Sequence, residues 1–285
     1  MKTTVALRLT CKQLDSIYLR SKNRILVAQR ERITVPFTAL YELLERLWLP
    51  DGAVLHPPPG GWPGIAIEDS ATWGKSPFAM DIIRHLPFID YKGQLDRMFI
   101  GFRASVVNYT ISKSLDSPII DAQRYWLKTL KAMSEFRGEI PPIATTKHII
   151  KITKPKYFHE EALYLDTLSG LVYRYVPRKH PEGVLAQEYC NARIETFTSL
   201  DEMFVPGILP DELSRWGEEA ARNKRYDAEE MERQGEPQTI NEGPDPWARD
   251  DALWVRHLHR KFGWPGQDWE KEACLNEIHM FLNRY

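Results

Sequence analysis

Cysteine is scarce in this chain, and its placement excludes a disulfide-stabilised scaffold. The 285 residues include three cysteines, which are odd in number and lie far apart: Cys11, Cys190 and Cys274. Small secreted domains instead carry a dense, even set of cysteines. We therefore expect a protein of a reducing compartment whose cysteines are buried thiols.

Long apolar runs are also missing. The most apolar stretches, at residues 99–107 and 149–150, are interrupted by Arg103 or flanked by lysine, and they fall far short of the roughly 20 apolar residues that a membrane span needs. The N-terminus lacks the apolar core of about 7 to 15 residues that a signal peptide has. We therefore expect a cytoplasmic protein with no membrane partner, and its oligomeric state stays open.

The sequence contains none of the short motifs that hold a metal ion or a nucleotide. There is no Cys-x-x-Cys or His-Glu-x-x-His, and His257 and His259 would point to different sides of a helix. Glycines 60, 61 and 64 match neither the Walker pattern nor the dinucleotide fingerprint. A Gly-x-Ser-x-Gly nucleophile elbow is absent too. We therefore expect neither a metal site nor a cofactor.

What is present is enough apolar material for a folded core. With 43% hydrophobic and 27% charged residues, the chain can bury one large core or two small ones. The order of helical and strand-like patterns predicts an α+β fold, with a central, mostly antiparallel sheet packed by helices and a helical C-terminal region. We expect a single compact domain over 1–285, with a basic segment at 1–34 and a flexible loop near 235–246.

In the N-terminal part, apolar residues alternate at 5–9 and predict a first strand, followed by basic helical turns. Pro36 suits the first turn of a second helix, which ends before Pro50. The stretch 51–64 is dense in Pro and Gly, so it predicts an ordered loop. Pro77 is typical of the start of the next helix.

The central and C-terminal patterns predict further elements. β-branched and alternating residues predict strands at 98–111, 147–153, 162–166, 171–176 and 186–197. The segment Leu168-Ser169-Gly170 supplies the turn of a hairpin. Helical spacing predicts helices at 121–136, 210–234, 247–262 and 269–285.

Charge is unevenly distributed although the formal net charge is only −1. Residues 1–34 contain eight basic side chains against two acidic ones. A second basic cluster occupies one short segment and contains Lys147, His148, Lys151, Lys154 and Lys156. Either cluster would suit a polyanion such as a nucleic acid.

Polar residues that suit proton transfer lie at the Pro-Gly loop and on the helix after Pro77. Asp81 reaches Arg84 and His85 at spacings of three and four residues, and His56 directly precedes the prolines of the loop. An Asp–His pair orients an imidazole for general-base work, whereas a surface ion pair is the plainer interpretation. Both interpretations stay open.

Other polar and aromatic residues likewise allow both a structural and a functional interpretation. Asp166 stands at a predicted hairpin turn, which Asp commonly stabilises, and Glu188 stands in a strand-like run. Trp62 and Tyr164 are aromatic residues of the kind that pack in cores, but rings also stack on bases or on a guanidinium.

Four strings occur in order along the chain, followed by Cys274: Leu-His-Pro-Pro-Pro-Gly-Gly-Trp-Pro at 55–63, Arg-His-Leu-Pro-Phe at 84–88, Leu-Asp-Thr-x-x-Gly at 165–170 and Phe-Gly-Trp-Pro at 262–265. As a set they resemble a large, mostly uncharacterised family of filamentous-fungal proteins. The resemblance spans roughly Leu40 to the C-terminus.

Fungal proteins of this size include the arginine-containing cyclodipeptide synthases, which take aminoacyl groups from two charged tRNAs and close a diketopiperazine. The resemblance thus implies a tRNA-dependent aminoacyltransferase of fungal secondary metabolism, with aminoacyl-tRNA as its partner and arginine as one substrate. It needs no ATP site, because the aminoacyl ester is already activated.

Such an enzyme needs a base, an acidic pocket for the guanidinium and a basic surface for the tRNA. The catalytic candidates are His56, His85 and Asp81. The substrate-binding candidates are Asp166, Glu188, Trp62 and Tyr164. The tRNA-binding candidates are Arg20, Lys22, Arg24, Lys147, Lys151, Lys154 and Lys156.

The same order of helix, Pro-Gly loop, Leu-Asp-Thr hairpin and C-terminal helices also resembles the SUKH fold of the Smi1/Knr4 type. This second resemblance implies a non-catalytic protein-interaction module, which needs only a groove and a stable frame. The two hypotheses differ in what they require of the second basic cluster: replacing Lys151, Lys154 and Lys156 by Glu would abolish the activity of an enzyme but leave partner capture by a module intact.

Overall fold

A computed structural model describes residues 2–90, 99–101, 104–110, 147–155, 162–175, 182–200 and 246–282. These residues form helices and antiparallel sheets, which confirms the predicted α+β class. The helices are α1 (Lys2–Leu47), α2 (Pro77–His85), α3 (Ala186–Ser199), α4 (Pro246–Lys261) and α5 (Lys271–Leu282). Residues Ile67–Ser70 form a short 3-10 helix.

The strands are short and are divided among three antiparallel sheets. Their bounds are β1 (Val54–Leu55), β2 (Phe88–Ile89), β3 (Phe99–Gly101), β4 (Ala104–Val106), β5 (Ile149–Lys151), β6 (Thr153–Pro155), β7 (Ala162–Asp166), β8 (Leu171–Tyr175) and β9 (Gly183–Leu185). β1 pairs with β2, β4 lies between β3 and β6, and the largest sheet has the order β5-β7-β8-β9. In that sheet β7 and β8 form the predicted hairpin.

Helix α1 is one continuous helix of 46 residues. The predicted strand at 5–9 is therefore wrong, and Pro36 lies inside the helix instead of opening a second one. Residues 5–9 join the helix despite their alternating pattern, because extending an existing helix costs much less free energy than starting one. Pro36 removes one helical hydrogen bond, and the buried side chains around it offset that loss.

The main core forms where the second half of α1 meets α2, α3 and the sheets. This half of the helix buries a residue every three or four positions, which places them on one helix face: Ile33, Phe37, Leu40, Tyr41, Leu44 and Leu47. Beyond them, Trp48 meets Phe197 of α3 edge to face, with ring centroids 5.2 Å apart. Burying one such side chain contributes roughly 1.5–3 kcal/mol, so this half of α1 is firmly held.

Residues 186–199 form helix α3, so the predicted strand at 186–197 is wrong. The buried residues Ala186, Cys190 and Phe197 are four and seven positions apart, which is helical spacing. Several strong helix formers, among them Gln187 and Glu188, stand between them. The period of the buried positions, and not the polar alternation, decided the structure.

The C-terminal helices α4 and α5 confirm the helical prediction for this region. They pack on each other through a second apolar cluster, which contains Trp254, Val255, Leu258, Cys274 and Ile278. Lys271, the first residue of α5, joins them to the end of α1. Its Nζ donates to the carbonyl oxygens of Glu45 at 3.1 Å and Leu49 at 3.0 Å, and pairs with the Asp51 carboxylate.

Cys190 and Cys274 are free and buried, as predicted, and burial raises the pKa of each thiol to about 12. The side chain of Cys11 lies outside the described residues. So do the predicted helices at 121–136 and 210–234. The predicted loop near 235–246 does as well, except that Pro246 begins α4.

Candidate functional site

Helix α2 holds the predicted Asp–His pair. Ser76 caps the helix by accepting a hydrogen bond from the backbone N–H of Ala79 at 3.1 Å, and Pro77 occupies the first turn. One turn separates Asp81 from His85, so the His85 Nδ1 lies 3.2 Å from the Asp81 Oδ1 and 2.8 Å from the Asp81 carbonyl oxygen. Both side chains are mostly buried.

Arg30 of α1 completes this cluster, and the sequence patterns did not identify it. Its Nη1 lies 3.5 Å from the Asp81 Oδ2 and 3.2 Å from the His85 Nε2. Because Arg only donates and a carbonyl only accepts, the His85 Nε2 accepts from Arg30 while Nδ1–H donates to Asp81. Both ring nitrogens are thus engaged. A general base needs a free nitrogen, so Arg30 would have to leave before His85 could take a substrate proton.

The Pro-Gly loop packs against the C-terminal end of α2, as an ordered loop should. The Trp62 backbone N–H donates to the carbonyl oxygen of Arg84 at 2.9 Å, and its indole N–H donates to that of Leu86 at 2.9 Å. The ring stacks on Phe88 with centroids 5.6 Å apart. Trp62 therefore packs over the C-terminal end of α2 and has a structural role there.

His56 pairs with α1 and not with the Asp–His pair. Its Nε2 lies 3.8 Å from the Glu42 Oε1, and about half of each side chain is exposed. Exposed pairs of this kind contribute about 0–1 kcal/mol. His56 and His85 therefore belong to two separate ion-pair contacts.

The β7–β8 hairpin accounts for two of the predicted substrate-binding residues. Asp166 accepts hydrogen bonds from the backbone N–H of Leu168 and the hydroxyl of Ser169, each at 2.9 Å, so it stabilises the turn. Tyr164 is buried in the middle of β7. Glu188 is exposed in the first turn of α3, where an acid complements the helix dipole.

The predicted tRNA-binding residues differ in exposure. Lys22 and Arg24 on α1 and Lys147 before β5 are exposed. Lys151 is only 4% exposed, so it does not offer its ammonium group to a phosphate on the surface. The side chains of Arg20, Lys154 and Lys156 lie outside the described residues.

Two buried polar groups cover the outer edge of β5, and the sequence patterns missed both roles. The Lys75 Nζ donates to the carbonyl oxygen of Ile149 at 2.6 Å. The Tyr109 hydroxyl donates to the carbonyl oxygen of Lys151 at 2.7 Å and accepts from its N–H at 3.1 Å. Because an open strand edge invites pairing with another chain, these contacts protect the sheet at this side.

Residues 18–29 of α1 lie largely in solvent, in contrast to the buried half of the same helix. All of them whose side chains are described are exposed except Leu26, which is half-buried. The exposed side chains include four large apolar ones: Tyr18, Leu19, Ile25 and Val27. Lys22 and Arg24 stand between them, so the segment is both apolar and basic.

Within the described ranges, no three His, Cys, Asp or Glu side chains come together as metal ligands. No helix in the same ranges combines the length and the apolar character needed to cross a bilayer. Comparisons with protein families, with curated proteins and with solved structures found no match. The resemblances to fungal synthases and to the SUKH fold therefore stay predictions, and the site must be interpreted from its own geometry.

Proposed function

We propose that the protein is a binding module that captures another protein through residues 18–29 of α1. The observation that carries this proposal is the exposure of large apolar side chains on an intact helix. Tyr18 is 66% and Ile25 is 59% exposed, and Leu19 and Val27 are exposed beside them. Single exposed apolar side chains are ordinary, but several on one short helical segment are typical of an interaction surface.

The rest of the fold makes this segment a suitable docking element. The helix continues without a break into its buried half, and Arg30 ties it to Asp81 and His85 of α2 directly after the exposed segment. A preformed and anchored helix loses little conformational entropy when a partner binds. The fold therefore supports recognition at this segment.

The contacts of the candidate catalytic residues favour the same function. His85 has both ring nitrogens engaged, Asp166 stabilises a turn, and Trp62 seals a helix end. Catalysis would need such groups free to meet a substrate. The proposal thus takes up the sequence-based alternative of a non-catalytic module, without relying on a SUKH likeness. We place the module in the cytoplasm, which the free thiols Cys190 and Cys274 favour.

A photo-crosslinking amino acid at Ile25 of the full-length protein, expressed in its host, tests the proposal. We expect a discrete covalent adduct with another protein, and we expect the further substitution Tyr18→Glu to remove it. The same amino acid at Met280, an exposed residue of α5, is the matched control and should give no such adduct. Adducts from both positions, or from neither, would contradict the proposal.

The exposure of Lys22 and Arg24 supports a second candidate, the aminoacyl-tRNA enzyme that the fungal resemblance implies. Exposed Lys and Arg side chains make phosphate contacts, which cause salt-dependent binding. Under this hypothesis the purified protein forms cyclic dipeptides from charged tRNAs, detectable by mass spectrometry, and Lys22→Glu weakens tRNA binding. If neither a cyclic dipeptide nor salt-dependent tRNA binding is observed, this candidate is excluded.

A further inference from the structure

One face of α1 carries an ordered set of residues, which we call the α1 docking face. Tyr18, Lys22, Ile25, Gln29 and Arg32 follow one another at alternating spacings of four and three residues. This pattern places them along one side of a helix, over about 21 Å of its length. All five side chains are exposed.

The α1 docking face leads into a cleft of about 110 Å³. Gln29 and Arg32 line one side of the cleft, and the β7–β8 turn lines the other side through Leu168 and Ser169. Leu185, the last residue of β9, completes the wall. Leu168 is 64% exposed, so the cleft adds an apolar contact to the end of the face.

Charge determines which kind of partner complements this face. The face contains Lys22 and Arg32 but no acidic residue, and residues 1–34 contain eight basic side chains against two acidic ones. A second copy of the helix would bring like charges together, which disfavours association. A helix whose apolar stripe is flanked by carboxylates would match both the apolar side chains and the cations of the face.

We infer that the α1 docking face binds an acidic amphipathic helix of a partner protein. Asp or Glu side chains of that helix pair with Lys22 and Arg32, and its apolar stripe packs on Tyr18 and Ile25. An apolar side chain at the end of the stripe enters the cleft against Leu168. This inference rests on the proposed function and adds the chemistry of the partner.

Synthetic helical peptides of about 20 residues test the inference with the full-length protein. One peptide carries Leu at the a and d positions of each heptad and Glu at e and g; a second carries Lys in place of every Glu. Fluorescence anisotropy should show binding of the acidic peptide, weakened at least about threefold between 50 and 200 mM salt because surface charge pairs are screened. The basic peptide should not bind.

Charge reversals on the two sides of α1 distinguish an effect of the docking face from an effect of the protein's net charge. Lys22→Glu lies on the docking face, whereas Arg24, two residues later, projects about 160° away around the helix. Both substitutions change the net charge equally. We expect Lys22→Glu and Ile25→Glu each to weaken binding of the acidic peptide at least about tenfold, and Arg24→Glu to weaken it less than about threefold. Circular dichroism should show unchanged helicity in all three variants.

Three results would overturn the inference. Absence of acidic-peptide binding, or equal effects of Lys22→Glu and Arg24→Glu, would do so. A single-stranded RNA 20-mer that binds more tightly than the acidic peptide, with no effect of the uncharged substitution Ile25→Ser, would identify the face as a nucleic-acid surface instead. A crosslinked protein at Ile25 without acidic-peptide binding would leave the proposed function standing while rejecting the partner chemistry.

Discussion

At the scale of one residue, Lys75 is a basic side chain that the fold buries away from water. Its ammonium group is buried and donates to the carbonyl oxygen of Ile149 at the edge of β5. Burial lowers its pKa from 10.5 to about 8, because removal from water disfavours the charged form. The burial of Lys75 at this strand edge therefore also makes stability depend on pH.

The free energy of unfolding should rise between about pH 8 and 10.5. In this range the folded protein has released the Lys75 proton while the unfolded chain still holds it, so higher pH favours the folded state. A fall in pKa of this size corresponds to about 3 kcal/mol at most. We expect the wild type to gain up to this amount relative to Lys75→Met, measured by urea unfolding across the range.

Lys147→Met is the matched control, because it replaces an exposed lysine close to the same strand. Its difference from the wild type should stay constant with pH. A constant difference for Lys75→Met as well would show that Lys75 does not cause the rise.

At the scale of elements, one glycine fixes the Pro-Gly loop against α2. Gly61 has a φ of +83°, and a Cβ built there would lie 2.7 Å from the carbonyl oxygen of Arg84. That oxygen also accepts the Trp62 hydrogen bond. The neighbouring Gly60 has a φ of +88° but no atom within 4 Å of a built Cβ. A side chain at Gly60 would therefore meet backbone strain alone, whereas a side chain at Gly61 would meet both backbone strain and a steric clash.

Gly60→Ala should lower the free energy of unfolding by about 1–2 kcal/mol, because a left-handed conformation costs that much with a side chain. Gly61→Ala meets the same strain and also the Arg84 carbonyl, so we expect a loss larger by at least about 1 kcal/mol. Thermal or urea unfolding of both variants checks the difference. Equal losses would mean that the loop moves away from α2 without cost.

Elements whose signals are local could be predicted from the sequence. The hairpin β7–β8 follows from its Leu-Ser-Gly turn, and α2 follows from Pro77 and its spaced apolar residues. By contrast, the alternation at 5–9 and the polar pattern at 186–197 suggested strands where helices form. In both segments, packing or helix extension outweighed a weak two-residue period.

The polar contacts of the candidate site were not predictable, because they join distant parts of the chain. Arg30 meets Asp81 and His85 from more than 50 positions away, and Lys75 meets Ile149 from 74 positions away. Such pairs depend on how helices, strands and loops pack together and not on local spacing. The exposure of Tyr18 and Ile25 likewise follows from where the core ends along α1.

At the scale of the whole molecule, Lys271 joins the C-terminal helices to α1. It donates to the carbonyl oxygen of Glu45 in the last turn of α1, where helix carbonyls have no partner within the helix, and to that of Leu49, two residues past its end. Lys271→Met should leave these carbonyls unsatisfied and lower the free energy of unfolding by about 1–3 kcal/mol. Hydrogen exchange should also become faster in α5.

Glu272→Gln, at the exposed position next to Lys271, controls for a change of charge in the same turn. It removes an acid that complements the dipole of α5, worth about 0.3–1 kcal/mol, so it should speed hydrogen exchange in α5 less than Lys271→Met does. If Lys271→Met behaves in the same way, the apolar cluster of α4 and α5 alone is sufficient to hold them on the body.

Because a side chain more than 200 positions away completes the end of α1, the order of translation matters for folding. Helix α1 is synthesised before Lys271, which follows more than 200 positions after the Glu45 carbonyl group in the last turn of the helix. Until Lys271 is made, this carbonyl group lacks the donor that it has in the folded protein. A message cut short before this codon would produce a chain that retains α1 and lacks the ammonium group that caps it.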